Sequence, residues 1–385
     1  MKILFLALDV NLSAEQGDSI HTRELARFLG ARGNRVDLVT VARPDPSIGQ
    51  NVTSHIVPAR SNLPTVRFCR RLAHSIHADV IYERRLSPKI AYAVSRLSGV
   101  PFVVEVNGVE EESAMQGRRA APRTRRVRLH MRRRMYHRAA RVVAVSNGLA
   151  DLVRKRYGLQ TNQVVTIPNG VDPDRFSPMT AKEARERLEW PPKKWILFVG
   201  NLVAWQGLNG LLRAMPRTFS LDPEARLAVV GAGSLRGPLE ALCRDLGVRD
   251  HVLFTGPVAH TVIPVYIGAA DVCVAPFTRA RNEAIGLSPL KVYEYLSCGR
   301  PVIASDLPGV SDVVSESKAG MLVPPDDPDA LSAALLHLLG NPEEARAMGW
   351  RGREYVLAEC TWQRTAEAVE GVLKEAIEAM REVGR

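Results

Sequence analysis

The chain has 385 residues, of which 46% are hydrophobic, and its formal net charge is +11. This composition excludes a disordered or fibrous chain, and the length suits two domains better than one core. Five scattered cysteines show no CxxC or histidine-rich spacing, which favours a reducing cytosol over a disulfide framework or a metal site. We expect no membrane-spanning helix, because no apolar run approaches the required length of about 18 residues.

Apolar, strand-like segments alternate with amphipathic helical segments along the chain. The predicted strands are ILFLAL, RVDLVTV, DVIYE, PFVVEV, RVVAVS and VVTIP in the first half, then WILFVG, RLAVVG, HVLFTG, DVCVAP, RPVIAS and GMLVP. This βαβ rhythm predicts an α/β protein with two Rossmann-like, doubly wound domains facing each other across a cleft. The proposed boundaries are 1–172, 173–360 and a C-terminal helix over 361–385 that packs back toward the first domain. The proline-rich segment PNGVDPDRFSPMTAKEARERLEWPPKKW is predicted to be the linker.

The first loop, LALDVNLSAEQGDSIHTRELARFL, joins the first strand to the first long helix. Gly17 would allow the backbone close to a ligand, and Asp18 or Ser19 could cap the helix. An ordinary βα loop explains the same residues more simply. His21, taken alone, is more typical of a structural or surface histidine than of a catalytic one.

Two glycine-containing junctions follow strands in the second half. VVGAGSLRGPLEAL resembles a dinucleotide fingerprint, but Gly237 is one residue late and no acidic residue ends the next strand. It therefore favours a nucleotide or phosphate near Gly231 over NAD, and an NAD-dependent oxidoreductase is a distant third hypothesis. In FVGNLVAWQGLNGLLRAM, Gly200 ends a strand and Gly207 opens a helix, although these glycines could simply relieve steric crowding.

The segment GLSPLKVYEYLSCGRPVIASDLPG combines a helix start with two opposite charges. Pro289 suits the first helical position, so that the N–H groups of Leu290 and Lys291 would point at an incoming anion. Glu294 lies one turn further on the same face. One interpretation is an exposed salt bridge between Lys291 and Glu294. The other is a diphosphate at the helix start with a ribose diol on Glu294, and the apolar neighbours favour it.

The excess positive charge is confined to one segment. Residues 113–150 contain eleven arginines and no acidic residue, while the rest of the chain holds 41 basic and 41 acidic residues. A solvated helix face is one explanation, but an anionic membrane surface better explains so many like charges. Nucleic acid is not expected, since Tyr136 is the only aromatic residue among these arginines. The predicted membrane-surface residues are Arg125, Arg126, Arg128, Arg132, Arg133 and Arg134.

Together these segments resemble the family-four glycosyltransferases of the GT-B fold. VVAVSNGLADLVRKRYG followed by VVTIPNGVDPDRFSP is the most specific match, and ERRLSPKIAYAVSRLSGVPFVVEVNG is similar to a polysaccharide-assembly subgroup. The resemblance implies a retaining transferase that needs neither metal nor cofactor and uses a UDP-, GDP- or ADP-linked sugar. It implies an acceptor-binding first domain, a donor-binding second domain, and a lipid-linked or sugar acceptor. We expect a cytoplasmic protein, peripheral at the inner face of the membrane.

The resemblance also carries over residue by residue, with four departures. Glu294 matches the second glutamate of the family's Glu-x7-Glu motif, whereas Gly286 stands in place of the first. Asn201 and Gln206 occupy the positions of two basic residues, and Asn107 that of an acceptor-side histidine. Lys291, Arg279 or Arg281 could supply the missing charge. Alternatively, the protein is a non-catalytic homologue that binds sugar nucleotides.

The resulting site prediction has three parts. The catalytic group is Asn107, Gln206, Lys291 and Glu294. The donor-binding group is Gly200, Asn201, Gly207, Gly231, Gly256, Val258, Arg281, Ser288 and Leu290. The acceptor-side group is Gly17, Asp18 and His21.

Overall fold

A computed structural model describes residues 1–12, 16–41, 48–57, 62–108 and 122–383, with the side chains of 122–125 and 383 left out. The chain divides into two compact units. The first contains Met1–Pro168 together with Trp362–Arg385, and the second contains Asn169–Thr361. Each unit is built on its own parallel sheet.

Among the residues described in the first unit, the sheet has seven parallel strands in the order β3-β2-β1-β4-β5-β6-β7. Its central strands are almost wholly buried because helices cover both faces, which explains their continuous apolar sequences. The strands are β1 (Lys2–Ala7), β2 (Arg35–Thr40), β3 (Val52–Ile56), β4 (Val80–Arg84), β5 (Phe102–Val106), β6 (Arg141–Ala144) and β7 (Val164–Thr166). The described helices are α1 (Gly17–Ala31), α2 (Asn62–Ser75), α3 (Lys89–Ser98), α4 (Pro122–Arg138) and α5 (Asn147–Tyr157).

The second unit repeats this plan with six parallel strands in the order β10-β9-β8-β11-β12-β13. The strands are β8 (Lys194–Val199), β9 (Ala225–Val230), β10 (Val252–Gly256), β11 (Val272–Ala275), β12 (Val302–Ser305) and β13 (Gly320–Val323). The helices are α6 (Ala181–Leu188), α7 (Leu208–Leu221), α8 (Arg236–Asp245), α9 (Ile263–Ala269), α10 (Arg279–Ile285), α11 (Leu290–Ser297), α12 (Val310–Ser317), α13 (Pro328–Gly340) and α14 (Pro342–Glu359).

The last helix, α15 (Trp362–Val383), belongs to the first unit. It packs on α1, where Arg32 forms ion pairs with Glu367 and Glu370. Trp362 is buried at the start of this helix, with its ring edge-on to His21 at 5.4 Å. The tail predicted as one long helix is therefore confirmed as a helix.

The segment predicted as a linker is instead largely part of the second unit. Phe176 is buried, and α6 packs Ala184 against α9. The prolines and polar residues of this segment are typical of an exposed linker. Its few apolar side chains are nevertheless enough to pack it onto the second unit. Among the described residues, no helix is both long and apolar enough to cross a membrane.

Both sheets change winding direction next to their first strand. β8 lies between β9 and β11, so the chain leaves β8 toward one side of the sheet and leaves β11 toward the other. Ligands of such sheets bind beyond the carboxyl ends of the strands at this switch point. Gly200 lies in the loop that follows β8, and Lys291 lies on α11, the second helix after β11. These two predicted donor residues therefore belong to the segments on either side of the switch point.

Candidate functional site

The helix that carries Lys291 and Glu294 begins at Leu290 and ends at Ser297. Pro289 is the residue before the helix rather than its first residue, with φ −85° and ψ 103°, which corrects the sequence-based expectation. Its carbonyl accepts hydrogen bonds from the N–H groups of Val292 and Tyr293. In the described part of the chain, the N–H groups of Leu290 and Lys291 donate to no acceptor, so this helix start can bind an anion.

The Lys291 side chain is buried against the loop that follows β8. Its Nζ donates to Oε1 of Gln206 at 2.6 Å and lies 3.9 Å from the centre of the Phe198 ring. Burial lowers the pKa of Lys291 from 10.5 to about 7, although the nearby Glu294 carboxylate acts in the opposite direction. The sequence shows a basic residue at the start of this helix, and the structure shows that its ammonium is buried. Burial of this charge is unfavourable, and a bound anion would offset that cost.

Glu294 is also buried, and its partner is a histidine. Nε2 of His260 lies 2.8 Å from Oε1 of Glu294, and each side chain is 9% exposed. The interpretation of Lys291 and Glu294 as an exposed salt bridge is therefore wrong, because both residues are buried and each contacts a different partner. The two charges lie one turn apart on the same helix, and their partners come from two different loops.

Three glycines bring the loops of β8, β9 and β11 into contact. Gly200 has φ 144° and Gly231 has φ 137°, and a Cβ at Gly231 would lie 2.1 Å from the Gly200 carbonyl oxygen. A Cβ at Gly200 would lie 2.7 Å from Nζ of Lys291, and one at Gly207 would lie 1.6 Å from the Pro276 carbonyl oxygen. Glycine is thus required at these positions for the loops to approach each other.

Of the three residues that could supply the missing basic charge, Lys291 reaches the loop after β8, where it contacts Gln206. Arg279 pairs with Glu283 on α10 at 2.7 Å and is exposed. Arg281 lies over the Trp205 ring at 5.2 Å and donates to Asn282. The structure therefore favours Lys291 as the replacement.

The remaining predicted donor residues surround this site in different roles. The hydroxyl of Ser288 accepts from the backbone N–H of Asn169 at 2.8 Å, and the Asn169 amide donates to the Ser288 carbonyl, so Ser288 fixes the loop before α11. Gly256, with φ 82°, ends β10, and the partly buried Val258 packs on the core next to it. Asn201 is exposed after β8.

In the first unit, a buried carboxylate contacts two of the predicted site residues, His21 and Asn107. Glu105 on β5 lies 2.7 Å from Nε2 of His21, accepts from the Asn107 amide at 2.6 Å, and is hydrogen-bonded by the Tyr82 hydroxyl. Burial raises the pKa of Glu105, but His21, Arg84 and Tyr82 together lower it to about 2. His21 is therefore a buried residue in contact with the Glu105 carboxylate and not a surface histidine.

Asn107 has a hydrogen-bond acceptor that its neighbours in this cluster do not use. Its Oδ1 is buried and has no hydrogen-bond partner among the described residues. A buried acceptor without a donor is costly, and a ligand hydroxyl would remove that cost. Gly17 begins α1, and Asp18 accepts from the Ser19 N–H within the helix. The predicted cap by Asp18 or Ser19 is wrong, since Gln16 is the N-cap residue and its side chain makes no capping bond.

The arginine-rich helix α4 is anchored at its C-terminal end. Tyr136 is buried, donates to the Leu86 carbonyl at 3.0 Å and stacks on Tyr157 at 4.3 Å. Val127, Leu129 and Met131 are exposed by 64%, 41% and 55%. Among the predicted membrane-surface residues, Arg126, Arg133 and Arg134 are exposed and Arg128 and Arg132 are half-buried; the side chain of Arg125 lies outside the described residues.

Sequence reasoning missed two residues of these sites, His260 and Glu105. His260 lies in GPVAHTV, where nothing marks it as a partner of a glutamate 34 residues later. Glu105 had a usable signal, because a carboxylate inside the apolar strand PFVVEV requires a buried partner. Glu83 carries the same signal in DVIYE: burial raises its pKa to about 8, and it accepts from the Ala91 N–H.

Comparison with known proteins agrees with this architecture. The family model "Glycosyltransferase Family 4" matches residues 16–175, and the model "Glycosyl transferases group 1" matches residues 180–355. Sucrose-phosphate synthase from Thermosynechococcus elongatus superposes with a TM-score of 0.80 at 23% identity, covering 98% of this chain and 99% of the other. Anabaena HepE in complex with UDP and glucose superposes with a TM-score of 0.77 at 18% identity, covering 97% and 99%. These two superpositions show the GT-B fold. The two family models, matched in order over 16–175 and 180–355, place the chain in the family-four glycosyltransferases.

Curated relatives add detail about sequence similarity. A GDP-mannose-dependent α-(1-6)-phosphatidylinositol monomannoside mannosyltransferase of Mycolicibacterium smegmatis is 34% identical over 213 residues, 53% of this chain and 56% of the relative. A D-inositol 3-phosphate glycosyltransferase of Nocardiopsis dassonvillei is 28% identical over 385 residues, 91% of this chain and 87% of the relative. The chain thus spans little more than half the length of the first of these two relatives.

Proposed function

We propose that the chain is a retaining, metal-independent glycosyltransferase that moves a sugar from a nucleotide-sugar donor to an acceptor hydroxyl. One observation carries the proposal: the start of α11 presents two backbone N–H groups, the Lys291 ammonium and the Glu294 carboxylate within one and a half helical turns. Donors have matching chemistry, with a diphosphate that seeks N–H groups and cations and a ribose diol that seeks a carboxylate.

The diphosphate binds at the N–H groups of Leu290 and Lys291. Lys291 is charged when the diphosphate is present, since an adjacent anion favours the ammonium. As the sugar–phosphate bond breaks, these donors stabilise the negative charge that develops on the departing phosphate. Gln206 orients the ammonium through its Oε1, and Gly200, Gly207 and Gly231 keep the adjacent backbone free of side chains.

Glu294 accepts hydrogen bonds from the ribose diol. With the diphosphate held at the start of α11, this contact fixes the position of the donor along its length. In the retaining reaction, the acceptor hydroxyl attacks from the face that the diphosphate leaves, so positioning supplies much of the rate enhancement. The buried Oδ1 of Asn107 is a hydrogen-bond acceptor for a hydroxyl of the sugar or the acceptor, and Glu105 holds the Asn107 amide in place.

The acceptor in this proposal is lipid-linked or a sugar. Relatives named for phosphatidylinositol-mannoside and inositol-phosphate acceptors support it, as does α4 with its exposed arginines and exposed apolar side chains. Such a helix suits an anionic membrane interface, where arginines meet headgroups and apolar side chains enter the acyl boundary. A cytoplasmic location at the inner membrane face is part of the same proposal.

Donor screening tests the proposal directly. The purified protein would be incubated with UDP-, GDP- and ADP-sugars, and the release of nucleoside diphosphate would be followed with and without membrane lipid extract. We expect the wild type to turn over one of these donors, and we expect Glu294→Ala to raise the KM for that donor strongly. Binding of a donor without turnover under every condition would support the non-catalytic homologue instead. An unchanged KM for Glu294→Ala would remove the ribose role.

A further inference from the structure

His260 is a buried histidine that sequence reasoning did not single out, and it is the residue through which Glu294 is held. We propose that His260 is a positioning residue for donor recognition, which orients the Glu294 carboxylate toward the ribose diol of the bound nucleotide. This inference rests on the proposed function, in which Glu294 binds that diol.

The hydrogen-bond pattern assigns the histidine its role. Nη1 of Arg175 lies 3.5 Å from Nδ1 of His260, and a guanidinium N–H can only donate. Nδ1 is therefore the accepting nitrogen, which leaves the ring hydrogen on Nε2. Nε2 then donates to Oε1 of Glu294 at 2.8 Å. In the described part of the chain no hydrogen bond is made to Oε2 of Glu294, so that oxygen can accept from the ligand.

The histidine ring is itself fixed by the segment that precedes α6. The Phe176 ring lies 5.1 Å from the His260 ring and is buried. The Phe176 carbonyl accepts from the hydroxyl of Ser297, three residues beyond Glu294 on α11, at 2.7 Å. Arg175 and Phe176 of the DRFSP sequence therefore clamp the histidine ring, and Phe176 also connects back to the helix that carries Glu294. This assigns a role to a motif whose purpose the sequence alone did not reveal.

The clamp restricts how the carboxylate can turn. A glutamate side chain without a fixed partner rotates about its last torsion angles, and each rotation moves both oxygens away from a ribose diol. With Oε1 held by His260, Oε2 keeps one direction. A purely structural role would differ: His260 would then only satisfy a buried carboxylate, and its loss would weaken all ligands equally or destabilise the unit.

The test compares ribose discrimination in three variants. UDP, GDP and ADP, each with its 2′,3′-dideoxy analogue, would be titrated calorimetrically into the wild type, His260→Ala and His260→Gln. Glutamine keeps an N–H donor near the position of Nε2. His337→Ala is the matched control, because His337 forms an exposed pair with Glu344 at 3.0 Å in the same unit. Circular dichroism and Tm would verify that each variant is folded.

We expect the wild type and His337→Ala to bind the ribose form about 10- to 100-fold more tightly than the dideoxy form. His260→Ala should lose most of this preference, and His260→Gln should keep much of it. A folded His260→Ala that weakens both forms equally and keeps the preference overturns the positioning role while leaving the proposed function intact. If His260→Ala does not fold, the inference stands on His260→Gln, and a full loss of preference there overturns it. A wild type that binds no nucleotide, or binds without discrimination, overturns the ribose role and this inference together.

Discussion

Nζ of Lys291 donates to Oε1 of Gln206, so a side chain from the start of α11 reaches the glycine loop that follows β8. Asn201 and Gln206 stand in that loop at the positions where the sequence resemblance implies basic residues. The positive charge is thus delivered from the helix instead of from the loop, and it lies over the Phe198 ring, whose face attracts a cation.

Lys291→Met should lower the turnover of the donor about 100- to 1000-fold, since an electrostatic donor to a leaving group is removed. Initial rates at saturating donor would measure the loss. Lys182→Met, on the exposed face of α6, is the matched control and should leave the rate unchanged. Wild-type rates in folded Lys291→Met would show that the charge is supplied elsewhere.

The stability of the protein should also depend on Lys291 through pH. The pKa of this lysine is about 7 in the folded chain, against 10.5 when it is solvated. Below about pH 7 both states hold the proton, and the buried charge destabilises the fold. Between pH 7 and 10.5 only the unfolded state keeps the proton, so the wild type should gain stability relative to Lys291→Met by up to about 1.4 kcal/mol per pH unit. Urea unfolding of both proteins from pH 6 to pH 10 measures this, and parallel curves would contradict it.

The glycines at the loop junction should tolerate no side chain. Gly207→Ala places a Cβ within 1.6 Å of a backbone oxygen at φ 75°, so we expect a loss of several kcal/mol in unfolding free energy or no folded protein. Gly237→Ala is the matched control on α8, where no atom lies within 4 Å of the new Cβ and helix propensity should add about 0.5–1 kcal/mol. Equal urea midpoints for the two variants would show that the junction relaxes freely.

The exposed arginines of α4 should bind anionic lipid. Replacing Arg126, Arg133 and Arg134 by glutamine should remove about 1 kcal/mol of binding free energy for each arginine. This predicts roughly 100-fold weaker binding to phosphatidylglycerol vesicles. The control replaces the exposed arginines Arg213, Arg217 and Arg346 of the second unit, so that net charge is matched. Sedimentation with phosphatidylglycerol or phosphatidylcholine vesicles reads out binding. Equal recovery of both variants, or of the wild type in both lipids, would refute a membrane role for α4.

Most of the fold could be predicted because buried parallel strands have continuous apolar sequences. Twelve of the thirteen strands in the described part of the chain coincide with predicted segments, and the exception is β3. That strand, VTSHI, lies at the sheet edge and is only partly buried, so it mixes polar and apolar residues and resembles a loop. The role of PNGVDPDRFSP was missed because its buried apolar side chains, Val171 and Phe176, are five residues apart among prolines and polar residues and give no periodic signal.

The site residues were predictable only where one sequence segment contains both the charged residues and the apolar neighbours that bury them. Lys291 and Glu294 share a helix, and their apolar neighbours correctly indicated burial. The partners of these residues come from loops that are distant in sequence, Gln206 from the β8 loop and His260 from the turn after β10. Such pairings depend on how the loops approach each other, which positive φ angles at Gly200 and Gly231 make possible. Spacing along one sequence does not encode them.

A crystal structure with bound nucleoside diphosphate tests the central claim most directly. The account predicts the diphosphate at the N–H groups of Leu290 and Lys291 and within hydrogen-bonding distance of the Lys291 ammonium, with the ribose hydroxyls on Glu294. A diphosphate bound elsewhere, or a ribose that does not touch Glu294, would contradict it.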